Sequence, residues 1–325
     1  MAALTVVIPT HNRAGLLARA VESVRQAATD LEIIVVDNAS TDHTSQICAT
    51  LPDIRYFRLD HNTGEGGARN VGIQESRSEY VAFLDDDDLR LPGSLDRQLQ
   101  TLRESPQAAL VYGPVLIGDE DCRPTGESYP ISCPTGDVFW GLLRFNFIPM
   151  PSVIARKHHL IQTGLFESSL EPARDWDLWL RMAERLAVTA VHEPVAIYRK
   201  WNHSANQMSA NLTRQYSAGA AVQARALRRD RARAAPSALR RQIRREYLSL
   251  ISDSLLYEAV VALARGHKRT ALNNVLAALR QQPLRVVRRE HLRGLASGML
   301  RRFPARLAAY ALPVLTSGIL SIVPE

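Results

Sequence analysis

Val81-Ala-Phe-Leu-Asp-Asp-Asp-Asp-Leu-Arg-Leu-Pro92 ends an apolar run in four consecutive carboxylates, Asp85 to Asp88. The apolar part reads as a buried strand, and Pro92 suits the first turn of a new helix. Four like charges packed this tightly repel one another, so a solvated turn or a hard divalent cation must offset them. In an extended chain alternate residues share a side, which pairs Asp85 with Asp87 and turns Asp86 and Asp88 away.

Toward the N-terminus three more β-rich runs precede this one: Thr5–Pro9, Leu31–Val36 and Ile54–Leu59. Leu16, Ala20, Val21 and Val24 fall at helical spacing behind a possible N-cap, Asn12. Ser40, Thr41 or Asp42 can cap a second helix, and Gly64–Ser76 reads as a third. Strands alternating with helices imply βαβ units and an α/β, doubly wound, mainly parallel sheet. Ligands of such sheets bind beyond the carboxyl ends of the strands. Thr10–Arg13, Asp37–Asp42 and Asp85–Asp88 all fall there. A carboxylate at Asp37 suits either recognition of an N–H or hydroxyl, or a turn-capping role.

Downstream, Ala109–Ile117 reads as one strand and Cys122–Pro134 as an irregular loop. Val138–Phe145 reads as a helix, Ser152–Arg156 as a short strand, and Ala187–Val191 and Val195–Tyr198 as closing strands. Asp175 opens another helix, where the macrodipole favours its ionised form. An ionised carboxylate at a pocket edge is what a general base requires. Asp177 and Arg181 form an i,i+4 pair expected on the surface.

From about Arg214 the composition turns to Ala, Leu and Arg, so residues 1–210 form one expected domain and 211–325 a basic α-helical region. Tyr257–Ala278, with a turn at Gly266, reads as a helix-turn-helix. Lys and Arg against Asp and Glu count 19 and 27 in residues 1–213 and 21 and 6 in residues 214–325, so the net +7 divides into −8 and +15. The stretch Arg228–Arg245 suits an anionic membrane surface, with a solvated helix face as the plainer reading. It lacks the aromatic interleaving that single-stranded nucleic acid would need, so no nucleic acid is expected. Cys48, Cys122 and Cys133 are odd in number and without CxxC spacing, which argues against a disulfide framework or zinc site. Ala2–Pro9 has no basic flank, and no run reaches the roughly 18 apolar residues of a span. These features predict a cytoplasmic protein, peripheral on the inner face of the cell membrane.

Five motifs in order, Val6–Arg13, Val35–Asp42, Asn62-Thr-Gly with Ala68-Arg-Asn70, Phe83–Asp88 and Arg174–Arg181, together resemble family 2 inverting glycosyltransferases of the GT-A fold. The resemblance runs from about residue 4 to 205. It implies a metal-dependent, hexosyltransferase-like enzyme using a nucleotide-diphosphate sugar, with a glycan or lipid-linked acceptor of envelope polysaccharide or glycolipid synthesis. It implies that Pro9, Thr10 and Arg13 line the nucleotide site, that Asp37 hydrogen-bonds the base, and that Arg69 helps hold the nucleotide. Asp85 would meet ribose or metal, and Asp86 the donor sugar or ribose. Asp87 would ligate the Mn²⁺ or Mg²⁺ on the diphosphate, with His203 as a further ligand. Asp175 would be the catalytic base. Arg174 stands where many relatives carry Glu. The alternative is a non-catalytic sugar-nucleotide-binding or scaffold protein. A dehydrogenase does not fit, because Gly64-Glu-Gly-Gly-Ala-Arg69 lacks the third glycine of its fingerprint.

Overall fold

The computed structural model describes residues 2–200, 212–264 and 266–282. In chain order the elements are β1 (Leu4–Thr10), α1 (Ala14–Ala27), β2 (Leu31–Asp37), α2 (Thr44–Thr50), β3 (Ile54–Arg58), α3 (Gly64–Glu75) and β4 (Tyr80–Phe83). There follow β5 (Leu89–Arg90), α4 (Ser94–Arg103), β6 (Ala108–Tyr112), β7 (Val115–Gly118), β8 (Pro124–Tyr129), α5 (Phe139–Leu142), β9 (Ile154–Arg156) and α6 (Lys157–Thr163). The last are α7 (Arg174–Ala183), β10 (Ala187–Ala190), β11 (Ala196–Arg199), α8 (Leu212–Ala226), α9 (Asp230–Ala234), α10 (Ser237–Ala264) and α11 (Lys268–Gln281).

Seven strands form the main sheet in the order β10-β6-β9-β4-β1-β2-β3. Every pairing is parallel except those of β9, which runs antiparallel between β4 and β6. The central strand β1 is buried along its whole length, which is why Leu-Thr-Val-Val-Ile-Pro-Thr reads as a continuous run rather than an alternation. Leu17, Ala20, Val21, Val24 and Ala27 put the apolar stripe of α1 into the same core as Val6, Ile8 and Val35. Thr10 pairs with Asp37 and Val7 with Phe83, so the carboxyl ends of β1, β2 and β4 share one rim.

The helix α3 lies so close to β1 that a Cβ on Gly72 would stand 2.3 Å from Cγ1 of Val7. Gly72→Ala is therefore expected to destabilise the fold by about 1–3 kcal/mol, the usual cost of overpacking a tight core. A urea melt checks this, and an unchanged midpoint would mean that the backbone yields freely here.

Sequence expectation and structure part company after β6. The single strand expected over Ala109–Ile117 is two strands in different sheets, broken at Gly113-Pro114. A side chain on Gly113 would meet Val191 at 2.7 Å, and Pro114 has no N–H to continue a ladder. The irregular loop expected over Cys122–Pro134 contains β8, whose six exposed residues give no apolar signal. It joins a second sheet, β5-β11-β7-β8. Asn12 does not cap α1: its φ is +53°, and its Oδ1 accepts the N–H of Thr41, tying two rim loops together. The Asp177–Arg181 pair is buried rather than superficial, Arg181 also donating to the carbonyls of Thr163 and Leu165.

The chain forms two compact units, residues 2–200 with 221–232, and residues 212–220 with 233–264 and 266–282. The division differs from the expected one at 221–232, which joins the first unit. There Gln223 donates to the carbonyl of Leu143, Arg229 pairs with Glu184, and Arg231 pairs with Asp137. Two arginines of the basic stretch thus spend their charge inside the fold. In the second unit α10 and α11 form a helix pair turned at Gly266, whose φ is +80°. Ile243, Tyr247, Ile251 and Leu255 form the buried stripe of α10, while Arg241 and Arg245 are exposed. Among the described residues no helix is long and apolar enough to cross a membrane.

Candidate active site

A cavity of about 490 Å³ opens on the common rim of β1, β2 and β4. Pro9, Thr10, Arg13, Asp85 and Asp86 line it, five of the residues expected in the nucleotide site. His11, Asn12, Asn38, Asn62, Gly64, Glu65 and Glu171 complete the lining.

The acidic stretch is a turn, not an extended strand end. The N–H of Leu84 still bonds to Val7, but the N–H of Asp88 turns back to the carbonyl of Asp85. The strict alternation that would pair Asp85 with Asp87 is therefore lost, and Asp85 and Asp86 line the cavity together. Asp86 accepts from Thr10 Oγ1 at 2.7 Å and from Arg13 Nη1 at 2.9 Å. Burial pushes its carboxyl up to about 7, against the pull of Arg13. Asp87 lies 3.1 Å from Arg13 and 4.0 Å from Arg199. Asp88 is buried, and its Oδ1 accepts the N–H of Arg199, fixing the end of β11 beside the turn. Burial and the neighbouring Asp87 and Asp85 push Asp88 well above the carboxylate range.

Behind the cavity a charged network joins α3 to α7. Arg69, almost wholly buried, pairs with Asp85 and with Glu65. Burial would raise Asp85, but the Arg69 guanidinium outweighs it and holds the carboxyl below its ordinary value. Arg174 pairs with Glu65 and with Glu171, whose Oε1 also accepts the N–H of Glu65. Arg174 is thus a buried bridge between α3 and the segment before α7. The sequence gives little sign of it, because Glu65 and Arg174 stand 109 residues apart.

Asp37 does not line the cavity. It is fully buried, its Oδ1 accepting from the N–H of Ser40 and its Oδ2 from Tyr56 Oη and Arg58. Of the two roles weighed for it, turn-holding is the one this geometry displays.

Asp175 occupies the first turn of α7 and is partly buried. Its Oδ2 accepts from Asn146 Nδ2 at 3.0 Å. The helix terminus was expected to favour the ionised form, but burial dominates. It raises the carboxyl against the N–H of Trp176, Arg174, Arg69 and Asn146. A raised carboxylate is a stronger proton acceptor, so the correction suits a base better than the expectation did. Arg69 lies in the field of both Asp85 and Asp175, which links the cavity to Asp175.

Among the described residues no three His, Cys, Asp or Glu side chains converge as a metal cage, and His203 lies outside those residues. Mg²⁺-type sites commonly use one or two carboxylates and complete their shell with phosphate and water. Asp85 and Asp87 supply hard oxygens of that kind, so the donor chemistry fits.

Residues 5–159 match the family model described as Glycosyl transferase family 2. This segment belongs to glycosyl transferase family 2. An uncharacterized glycosyltransferase of Rickettsia bellii is 29% identical over 222 residues, 67% of this chain and 31% of that protein. The chain thus matches about a third of that relative's length. A Campylobacter jejuni family relative, a GalNAc(5)-diNAcBac-PP-undecaprenol beta-1,3-glucosyltransferase, is 39% identical over 126 residues, 37% of this chain and 40% of that one. The mannosyltransferase PcManGT from Pyrobaculum calidifontis, solved with GDP-Man and Mn²⁺, superposes with a TM-score of 0.57 at 19% identity, over 99% of this chain and 88% of that one. At that identity the likeness concerns the fold, and it agrees with the GT-A sheet described above.

Proposed function

We propose that this chain is an inverting glycosyltransferase that moves a sugar from a nucleotide diphosphate to an acceptor hydroxyl. The observation that carries the proposal is the joint placement of Thr10, Arg13, Asp85 and Asp86 around one cavity, with Asp175 linked to it through Arg69. Pro9, Thr10 and Arg13 form the wall against which the nucleotide lies. Asp86, held by Thr10 and Arg13, is an acceptor for donor hydroxyls. Asp175 takes the proton from the incoming hydroxyl, whose oxygen attacks the anomeric carbon opposite the departing diphosphate. A single displacement inverts that centre.

Mn²⁺ or Mg²⁺, held by Asp85 and Asp87, would offset negative charge on the diphosphate; the mannosyltransferase solved with Mn²⁺ supports this choice. The relative named for an undecaprenol-linked acceptor supports a lipid-linked glycan as acceptor, in envelope polysaccharide or glycolipid synthesis. The exposed Arg241 and Arg245 of the helical unit support peripheral contact with an anionic membrane on its cytoplasmic side.

The test is a thermal-shift panel of UDP-, GDP-, TDP- and CMP-sugars with and without Mn²⁺. One nucleotide class is expected to raise the melting temperature in a metal-dependent way, since ligands that bind only the native state stabilise it. No shift with any of them, at millimolar ligand, would remove the donor site.

A further inference from the structure

We infer that Asn146 is the positioning residue of the base: its side-chain amide holds Oδ2 of Asp175 and presents Oδ1 to the acceptor hydroxyl. The inference rests on the reading of Asp175 as the base. Asn146 lies between α5 and the 3-10 turn Met150–Ser152, in a stretch that displays no motif of its own. Its Nδ2 donates to Asp175 at 3.0 Å, and its Oδ1 accepts the N–H of Ile148 at 3.3 Å. The second bond fixes which face of the amide meets Asp175, because an amide whose oxygen is engaged must offer its nitrogen. Its main-chain carbonyl accepts the hydroxyl of Tyr129, the last residue of β8. The loop is thereby clamped to the second sheet on one side and to the base on the other.

The groups facing Asp175 are Arg69 from α3, Arg174 from its own helix, Tyr129 from β8 and Asn146 from the loop. Burial, together with the nearby Asp175 charge, pushes Tyr129 up to about 12, so it stays protonated and keeps donating to Asn146. The two arginines act as charges committed to Asp85, Glu65 and Glu171. Among the described residues, Asn146 is the side chain that hydrogen-bonds the base. An amide N–H bonded to a carboxylate favours its ionised form. Without it Asp175 would hold its proton to higher pH, and the carboxylate would lose a fixed orientation.

The experiment uses the full chain and the nucleotide sugar that stabilises it most, with Mn²⁺, and reads nucleotide diphosphate release against pH. Asn146→Ala is expected to move the acidic limb upward by about one pH unit and to lower kcat about tenfold, with the donor KM unchanged. Asn146→Asp, which sets a second carboxylate against the first, is expected to move the limb further. Asn146→Ser retains a donor and is expected to recover part of the loss. Should Asn146→Ala melt early, the Ser and Asp variants decide by the same profile. If Asp175→Asn releases nucleotide normally, the base itself is misassigned. If Asp175→Asn is inactive while the Asn146 variants keep the wild-type pH profile, the positioning role is overturned and the base stands.

Discussion

Asp175→Asn is expected to lower transfer by about 10²- to 10⁴-fold, the range contributed by a positioned general base. The change is nearly isosteric, and an asparagine oxygen can still accept from Asn146, so the first turn of α7 should survive. What disappears is the ability to take a proton. Because Asp175 does not line the nucleotide cavity, metal-dependent nucleotide binding should remain. Asp87→Asn should do the reverse. It removes a negative charge from the proposed metal site and from the ion pair with Arg13, so nucleotide affinity in Mn²⁺ is expected to fall together with turnover. Calorimetric titration beside a turnover assay separates the two; equal loss of binding in both variants would refute the division of roles.

Arg69→Met carries the largest expected stability effect. Arg69 is almost wholly buried and faces Asp85 and Glu65, so methionine fills the volume, strips Asp85 of this cation and leaves Glu65 with Arg174 alone. Removing one partner of a buried ion pair costs about 3–5 kcal/mol. The low end applies here, because Asp85 and Glu65 keep part of their surface in water. A chemical melt of Arg69→Met should show a loss of about 3 kcal/mol. The double variant Arg69→Met with Asp85→Asn should recover part of it, because one orphaned charge is gone. A loss that the second substitution does not relieve would mean that Arg69 acts by packing alone, for instance against Phe166, whose ring centroid lies 5.9 Å from its guanidinium.

The sheet was legible because burial on both faces leaves a strong local mark. Val6–Pro9, Ile33–Val36 and Val81–Leu84 are unbroken apolar runs, each followed by polar residues. The shared rim therefore followed from chain order alone, whereas the grouping of Thr10, Arg13, Asp85 and Asp86 was what the family resemblance implied. The illegible parts depend on partners far apart in sequence. Nothing local to Glu65 announces Arg174, and nothing near Asn146 announces Asp175. The direction of the acidic turn was missed for a different reason: alternation holds only while the ladder does, and β4 ends at Phe83, before the first aspartate. The strand β8 was missed because all six of its residues are exposed, which removes the period-two signal.

The central claim is single displacement at a nucleotide sugar, and the anomeric configuration of the released sugar tests it most directly. With an α-linked donor chosen from the thermal panel, Mn²⁺ and water as acceptor, proton NMR follows the first minutes of turnover before mutarotation. The β-anomer should appear first, and Asp175→Asn should suppress it. An α-anomer appearing first would contradict the displacement, and donor binding without any nucleotide release would favour a non-catalytic binding protein instead.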